Sequence, residues 1–322
     1  MRGHELPAGG LGLTIPVDGG QSSLSGLGYS SYWTAETSRF DAFTPLAAAC
    51  GAEPDAWFGT AIASVFARGP AMLAMSAAAM AAYAPGRFIL GIGASSPVLT
   101  RDWNAVPYQR PVARVRDTAR FLRTVLAGDL VDREFETFTV RRFRLEQPPE
   151  KVPLVLVGAL RSAMLRVAAE EADGAILNWL SPSDVRTVRP VLGTDSLVAA
   201  RIFVCCSTEA ATVRAAARRI IAGYLSVPGY AEFHRWLGRE AALTPMWRAW
   251  AAGDRKAAMA AVPDEVVDDL IVHGTPSQCA AGLRAYRDAG VDIPIVKLLA
   301  LGSSHDLLAE AAAVAAAYPA GT

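Results

Sequence analysis

Very little in this 322-residue chain is in surplus. Four cysteines, Cys50, Cys205, Cys206 and Cys279, are too few for a disulfide framework, and the adjacent pair sits in an apolar run without metal-ligand spacing. They read as reduced, buried thiols. Histidine is equally scarce: His4, His234, His273 and His305 are scattered, none pairs with a cysteine or carboxylate at zinc-like spacing, and no Ser-His-Asp arrangement can be defended. Neither sign of charge dominates, with 31 Lys plus Arg against 31 Asp plus Glu, so no overall field recruits nucleic acid or an acidic membrane surface. No apolar stretch reaches the roughly 20 residues of a membrane helix, and the opening "MRGHELPAGG" lacks the apolar centre of a signal peptide. Metal-assisted hydrolysis, nucleic-acid binding and membrane insertion are disfavoured. A cytoplasmic protein acting on a small molecule, with no metal, is the expectation.

What is present is apolar material in short, regular doses. The chain is 52% hydrophobic and 19% charged, ample for a core. Eight runs rich in β-branched and aromatic residues, at 11–17, 29–36, 57–64, 87–93, 153–158, 174–178, 196–206 and 293–300, read as strands bounded by turn formers. Helical spacing recurs at 70–83, 111–127, 161–171, 209–223 and 277–289, several of these opened by proline or serine. The first helix is the weak unit, because "DGGQSSLSGLG" leaves room for barely two turns. Alternation of this kind implies parallel strands with crossover helices, and eight such strands favour a closed (β/α)8 TIM barrel over an open sheet.

The expected organisation is a flexible N-terminus over residues 1–10 and a single barrel domain over 11–322. Two insertions are expected. Residues 135–145, "FETFTVRRFRL", alternate like a hairpin or edge strand before the fifth barrel strand. Residues 226–267 read as a helical excursion after the seventh helix, either a lid over the mouth or a packing subdomain.

Candidate chemistry gathers at the carboxyl ends of the strands. "RFILGIGASSP" ends the fourth strand in Gly91 and Gly93, which either admit a flat ligand to the backbone or merely satisfy barrel curvature. A dinucleotide fingerprint fits worse, since the third glycine is missing and Pro97 follows. After the second strand, Glu36 and Asp41 flank a turn. Both could reach a ligand above the barrel for proton transfer or a hydrogen bond to a ring; Asp41 suits a helix cap at least as well, whereas Glu36 leans toward function because an unpaired buried carboxylate is costly. Arg68 either balances Glu36 or meets an anionic ligand. Loop 100–111 carries Arg101, Asp102, Trp103, Asn104 and Tyr108, suited to stacking on a substrate, although Trp103 could instead tuck under its own chain. Arg161 and Ser162 open a helix whose free N–H groups suit a phosphate. Asn178 and Trp179 end the sixth strand, and Ser181 or Ser183 caps the next helix. Together these features fit a flat, phosphorylated redox cofactor.

The blocks "ETSRFDAFTPL", "GTAIASVFARGPAMLAMSAAAM", "GRFILGIGASSPVLTRDWNAVPYQRPVARVRDTARFLRTVLAG", "EADGAILNWLSPSDV" and "HGTPSQCAAGLRAYRDAGV" resemble the bacterial luciferase-like superfamily, and most of all its coenzyme F420-dependent branch. The resemblance spans roughly residues 11–301. It implies a (β/α)8 barrel, a homodimer, and F420 or reduced FMN held across the carboxyl ends of the strands. It also implies a non-proline cis peptide at Ala61-Ile62, with Gly93, Ala94 and Ser95 beside the ring. Ala159, Leu160, Arg161 and Ser162 are then expected at the phosphate or ribityl chain, and Asn178 and Trp179 at the cofactor tail. Glu36 and Trp103 are the expected catalytic side chains. Two departures stand out: sugar-phosphate dehydrogenases of the family carry a histidine and an acid where this chain has Thr37 and Ser96, and a phosphate-binding lysine where it has Ser181. The expected activity is hydride transfer between F420 and an organic substrate. The alternative is a two-component monooxygenase using reduced FMN, with a non-catalytic binding module third.

Overall fold

Each strand of the main sheet sends alternate side chains outward to helices and inward to one another, which is how a parallel sheet buried on both faces must be built. The computed structural model describes residues 10–15, 24–302 and 306–318. Its strands are β1 (Gly12–Thr14), β2 (Ser31–Thr34), β3 (Trp57–Thr60), β4 (Ala63–Ser64), β5 (Phe88–Gly93), β6 (Val131–Glu134), β7 (Thr139–Phe143), β8 (Leu154–Gly158), β9 (Gly174–Asn178), β10 (Leu197–Cys205), β11 (Ile271–His273) and β12 (Ile293–Leu298). The α-helices are α1 (Thr44–Ala49), α2 (Pro70–Tyr83), α3 (Pro111–Leu126), α4 (Ser162–Glu171), α5 (Pro182–Leu192), α6 (Ala210–Leu225), α7 (Pro228–Trp236), α8 (Glu240–Ala251), α9 (Arg255–Ala260), α10 (Asp264–Leu270), α11 (Pro276–Asp288) and α12 (Leu307–Ala317).

Strands β1, β2, β3, β5, β8, β9, β10 and β12 pair in that order, all parallel, and β12 returns to β1 through Gly12 opposite Ile295. The ring is therefore a closed eight-stranded barrel, as the alternation predicts. Strand β4 resumes the third strand after the cis peptide Ala61-Ile62 and pairs with β5. Helix α2 has the anticipated ends, Pro70 at its first turn and Tyr83 at its last. The first two strands are shorter than expected because Ile15 and Ala35 already lie beyond the ladders. Strand β11 was not anticipated; three residues are too short to declare a period, and it adds to the upper half of β10 at Phe203 opposite Ile271.

Width is the controlling constraint inside the ring. The Trp33 indole donates from Nε1 to Ser31 Oγ at 2.9 Å and fills the interior together with Trp57, Ile89, Leu156, Ile176 and Ile295. A Cβ on Gly59 would stand 2.3 Å from that indole, and one on Gly12 would stand 2.7 Å from Nε1, so both positions must lack a side chain. The barrel is plugged at its middle and lower levels and opens only at the carboxyl ends of its strands.

The first insertion is the hairpin β6–β7, where Phe135 and Phe138 stack at 4.8 Å beside Phe121 of α3. Residues 226–267 contain α7 to α9 and the start of α10, which together with α6 enclose a core of their own. Its members include Val213, Ile221, Leu243, Met246 and Val267, joined by Trp179 and Phe203 from the barrel. The guanidinium of Arg239 links this unit to the barrel, donating to Asp184 of α5 at 2.9 Å and to Asp269 of α10 at 3.0 Å. Residues 1–9 and 16–23, on which the expected flexible terminus and most of the first-helix segment fall, lie outside the described residues. Among the described residues, no helix is long and apolar enough to cross a membrane.

Two tests address this frame. Gly91→Ala puts a Cβ 1.8 Å from the Thr60 carbonyl oxygen, a backbone atom that cannot yield. Its urea-unfolding free energy is expected to fall by at least about 3 kcal/mol, the severe end of overpacking effects. His234 is fully buried in α7, and burial, reinforced by Arg239, depresses its pKa to about 4 from 6.5. The unfolded chain therefore takes up this proton first as acid is added, so His234's contribution is intact above about pH 6.5 and disappears progressively toward pH 4. Chemical denaturation across that window is expected to show a flatter loss in His234→Phe than in the native sequence.

Candidate functional site

The open end of the barrel is built by the residues at which each strand leaves the ladder. On one side, β2, β3, β5 and β8 deliver Ala35, Glu36, Ala61, Ile62, Ala94, Ser95 and Gly158, all of them partly exposed. On the other, the inward register of β9, β10, β12 and β1 delivers Asn178, Arg201, Lys297 and Thr14, each following interior residues of its strand.

The cis peptide is held from both flanks. Ala61 donates its N–H to Thr34 O at 2.6 Å, and Glu36 donates its own N–H to Ile62 O at 3.2 Å. The Glu36 side chain then completes the clasp, with Oε2 accepting from Ser64 N at 2.8 Å and Oε1 from Arg68 Nε at 2.5 Å. Arg68 thus balances Glu36, which decides between the two roles left open for it. The same guanidinium reaches Asp41 at 3.2 Å and lies 4.7 Å over the Phe43 ring. Asp41 accepts from the N–H groups of Phe43 and Thr44 at 2.8 and 3.0 Å, so it performs the helix-start duty. Burial works to raise its pKa, but those hydrogen bonds and Arg68 prevail and hold it below the usual carboxylate value.

The glycines of the fourth strand divide between two duties. Gly91 serves packing, because its missing Cβ leaves room for the Thr60 carbonyl and Ile176. Gly93 and Gly158 seat the side chain of Ile62, which a Cβ at either position would approach to 3.1 Å. Gly93 itself is buried, with the Ile62 side chain lying against it. Ser95 has a left-handed backbone at φ 58°, as does Trp179 at φ 56°. Non-glycine residues enter this region at a cost that the surrounding structure must impose, and such positions cluster at functional sites.

The remaining candidates separate. Trp103 ends a π-helical turn over Val98–Trp103 and is 56% exposed, so it is not tucked beneath its chain. Arg101 and Asp102 satisfy one another at 2.7 Å on the surface, while Tyr108 reaches the rim at Ser95 O, 3.4 Å away. Ala159 and Leu160 follow β8, and Arg161 and Ser162 begin α4, whose first turn receives no side-chain cap. Trp179 departs from expectation. Its ring is buried in the excursion core, stacked at 4.0 Å on Phe203, and does not line an open rim. Asn178 donates from Nδ2 to Tyr230 Oη at 2.8 Å and remains partly exposed. Ser181 caps α5 in a reciprocal arrangement with Asp184.

Four groups at the mouth escaped the sequence reading: Thr14, Arg201, Tyr230 and Lys297. Arg201 did leave a trace, since an arginine within "LVAARIFVC" interrupts an otherwise apolar strand and such a residue is seldom placed inside without a partner.

A family model described as luciferase-like monooxygenase matches residues 24–293. A Mycobacterium tuberculosis protein assigned by name only to the coenzyme F420-dependent oxidoreductases is 24% identical, covering 88% of this chain and 90% of that one. The solved F420-dependent tetrahydromethanopterin reductase of Methanopyrus kandleri superposes with a TM-score of 0.77 at 18% identity, covering 96% and 97% of the two chains. The oxygenating constituent of 3,6-diketocamphane monooxygenase from Pseudomonas putida, solved with FMN, superposes at 0.62 with 16% identity and 96% coverage of both.

The clasp around the cis peptide can be measured. Glu36→Gln keeps the shape but gives up the charge-assisted bond to Arg68, with an expected stability loss of about 1–3 kcal/mol. Arg68→Met is expected to cost more, because it strips the partner from a carboxylate whose side chain is only 9% exposed. Equal losses in thermal and urea denaturation would contradict this ordering.

Proposed function

The chain belongs to the luciferase-like monooxygenase family, and on that premise we propose that it is an oxidoreductase transferring hydride between coenzyme F420 and a small organic substrate. The observation that carries this reading is the small-residue half of the mouth, gathered around Ala61 and Ile62, which fits a flat ring. Below that level the interior is filled by Trp33 and its neighbours. Coenzyme F420, when bound, supplies a carbon at its deazaflavin ring that gives or accepts the hydride.

The protein's share is orientation and exclusion of water. Ala61, Ile62, Ala94 and Ser95 would support the ring, with Gly93 acting through Ile62. Ala159, Leu160, Arg161 and Ser162 would meet the phosphate-bearing chain, where the uncapped first turn of α4 offers N–H donors. Asn178 would meet the polar tail. Glu36 keeps both carboxylate oxygens on Arg68 and Ser64, so its best-supported role is to hold the Ala61-Ile62 segment in place rather than to move a proton. Trp103, exposed at the end of the turn that follows β5, would contact the substrate. Fixing two reactants in this way is worth several kcal/mol of barrier, of the order of 7–11 in favourable cases.

A second reading is a two-component monooxygenase using reduced FMN, favoured by the FMN-bound structural neighbour. The exposed apolar face of α2, carrying Met72, Met75 and Tyr83, also supports pairing of two copies.

Fluorescence titration with oxidised F420 and with FMN separates the two cofactors. Saturable quenching of F420 with far weaker FMN binding is expected; tight FMN binding without F420 binding would overturn the assignment. Gly93→Ala, which pushes on Ile62, is expected to weaken F420 binding about tenfold, equivalent to 1.4 kcal/mol. Its melting temperature should remain close to that of the native sequence.

A further inference from the structure

Buried polar atoms without partners are rare in folded proteins, and here three of them fall on one arc of the barrel mouth. Thr14 Oγ1 belongs to β1, Asn178 Oδ1 to β9 and Arg201 Nε to β10; each is buried and makes no hydrogen bond within the described residues. The strands that carry them run consecutively around the ring as β9, β10, β12 and β1. Arg201 stands directly opposite Asn178 in the ladder, and it points inward, since Leu197 and Ala199 of the same strand face belong to the barrel interior. If Asn178 is turned about its amide, the nitrogen replaces the oxygen as the unsatisfied atom, because Tyr230 Oη serves only one of the two. Lys297 lies on the same arc, on β12.

The guanidinium is the decisive member. Arg68 and Arg239 both meet carboxylates, whereas Arg201 lies with its central carbon 5.5 Å over the Phe203 ring and near Tyr230. A cation over an aromatic ring recovers only part of what burial removes, and a guanidinium carries five N–H donors arranged for carboxylate or phosphate oxygens. A folded protein tolerates such a group most readily where a ligand completes it. The opposite half of the mouth, from Ala35 to Gly158, is mostly small and apolar, and its one carboxylate, Glu36, is paired with Arg68. The opening is thus two-sided, one side suited to a flat ring and the other to charge.

We propose that the β9–β10–β12–β1 side of the mouth is an anion subsite in which Arg201 selects a substrate bearing a carboxylate or phosphate group, with Thr14 hydrogen-bonding beside it. The inference rests on the oxidoreductase reading above and narrows its substrate to organic anions. A cofactor phosphate has the same chemistry, but it would lie at the start of α4, after β8, and not on this arc.

Calorimetric titration of the cofactor-free full chain with inorganic phosphate, and separately with succinate, at constant ionic strength tests the subsite. Saturable binding is expected for the native sequence, about tenfold or more weaker in Arg201→Met. Arg201→Lys should be intermediate, because the fork of donors is lost while the charge stays; it also stands in if Arg201→Met does not fold. Arg161→Met is expected to leave succinate binding unaffected, whereas it removes any phosphate taken up separately at the start of α4. No saturable binding to the native chain overturns the proposal. So does a loss confined to Arg161→Met, which would assign the anion to the cofactor's phosphate position, or unchanged binding in both Arg201 variants. Titration of F420 and FMN into the same proteins is read separately: failure of both cofactors to bind would defeat the oxidoreductase reading while leaving the phosphate result intact. Unchanged F420 affinity in Arg201→Lys is expected if the subsite serves the substrate.

Discussion

Closure of the strand ring is the condition from which the rest of this molecule follows. Once β12 returns to β1, every second side chain of eight strands is committed to an interior of fixed width, and no rearrangement can enlarge it. One tryptophan, Trp33, takes so much of that width that Gly12 and Gly59 must give way to it. The lower barrel becomes solid, and the partly exposed side chains of the ring gather at the rim where the strands end. The rim in turn inherits its two characters from the strand order, small apolar residues on β3, β5 and β8 and polar ones on β9, β10, β12 and β1.

Three arginines at the mouth and its surroundings illustrate how the same group acquires different duties from its neighbours. Arg68 is spent on Glu36 and Asp41 and braces the bulge of the third strand. Arg239 is spent on Asp184 and Asp269 and ties the helical excursion to the barrel. Arg201 has no comparable carboxylate contact and faces the interior of the mouth. Charge count and residue type are identical in all three, and only three-dimensional company distinguishes them.

That is also the boundary of what the amino-acid sequence could disclose. Periodicity is a local property, so the eight barrel strands, the hairpin and the limits of α2 were legible, as was the excursion. The cis peptide at Ala61-Ile62 was legible only through family likeness, since "GTAI" contains nothing that announces it. Pairings across 27 to 55 residues, such as Arg68 with Asp41 or Arg239 with Asp184, have no local signature, so Arg68 stayed undecided and Arg239 went unremarked. Trp179 was placed correctly at a strand end, yet its direction depended on α6 and α7, whose packing no strand pattern contains. Arg201 was overlooked because attention to strand termini passes over a residue in mid-strand.

The excursion's private core has a thermodynamic corollary. A unit that buries Leu243, Met246 and Val267 largely among its own helices can come apart without dissolving the barrel, so denaturation of this chain need not be a single cooperative event. Its seams to the barrel include the Trp179–Phe203 stack, the Asn178–Tyr230 bond and the Arg239–Asp184 pair, and these adjoin the strand ends that frame the mouth. Partial melting and admission of bulk water to the barrel mouth would then be one and the same fluctuation, which couples the chain's thermal tolerance to the wetting of its open end.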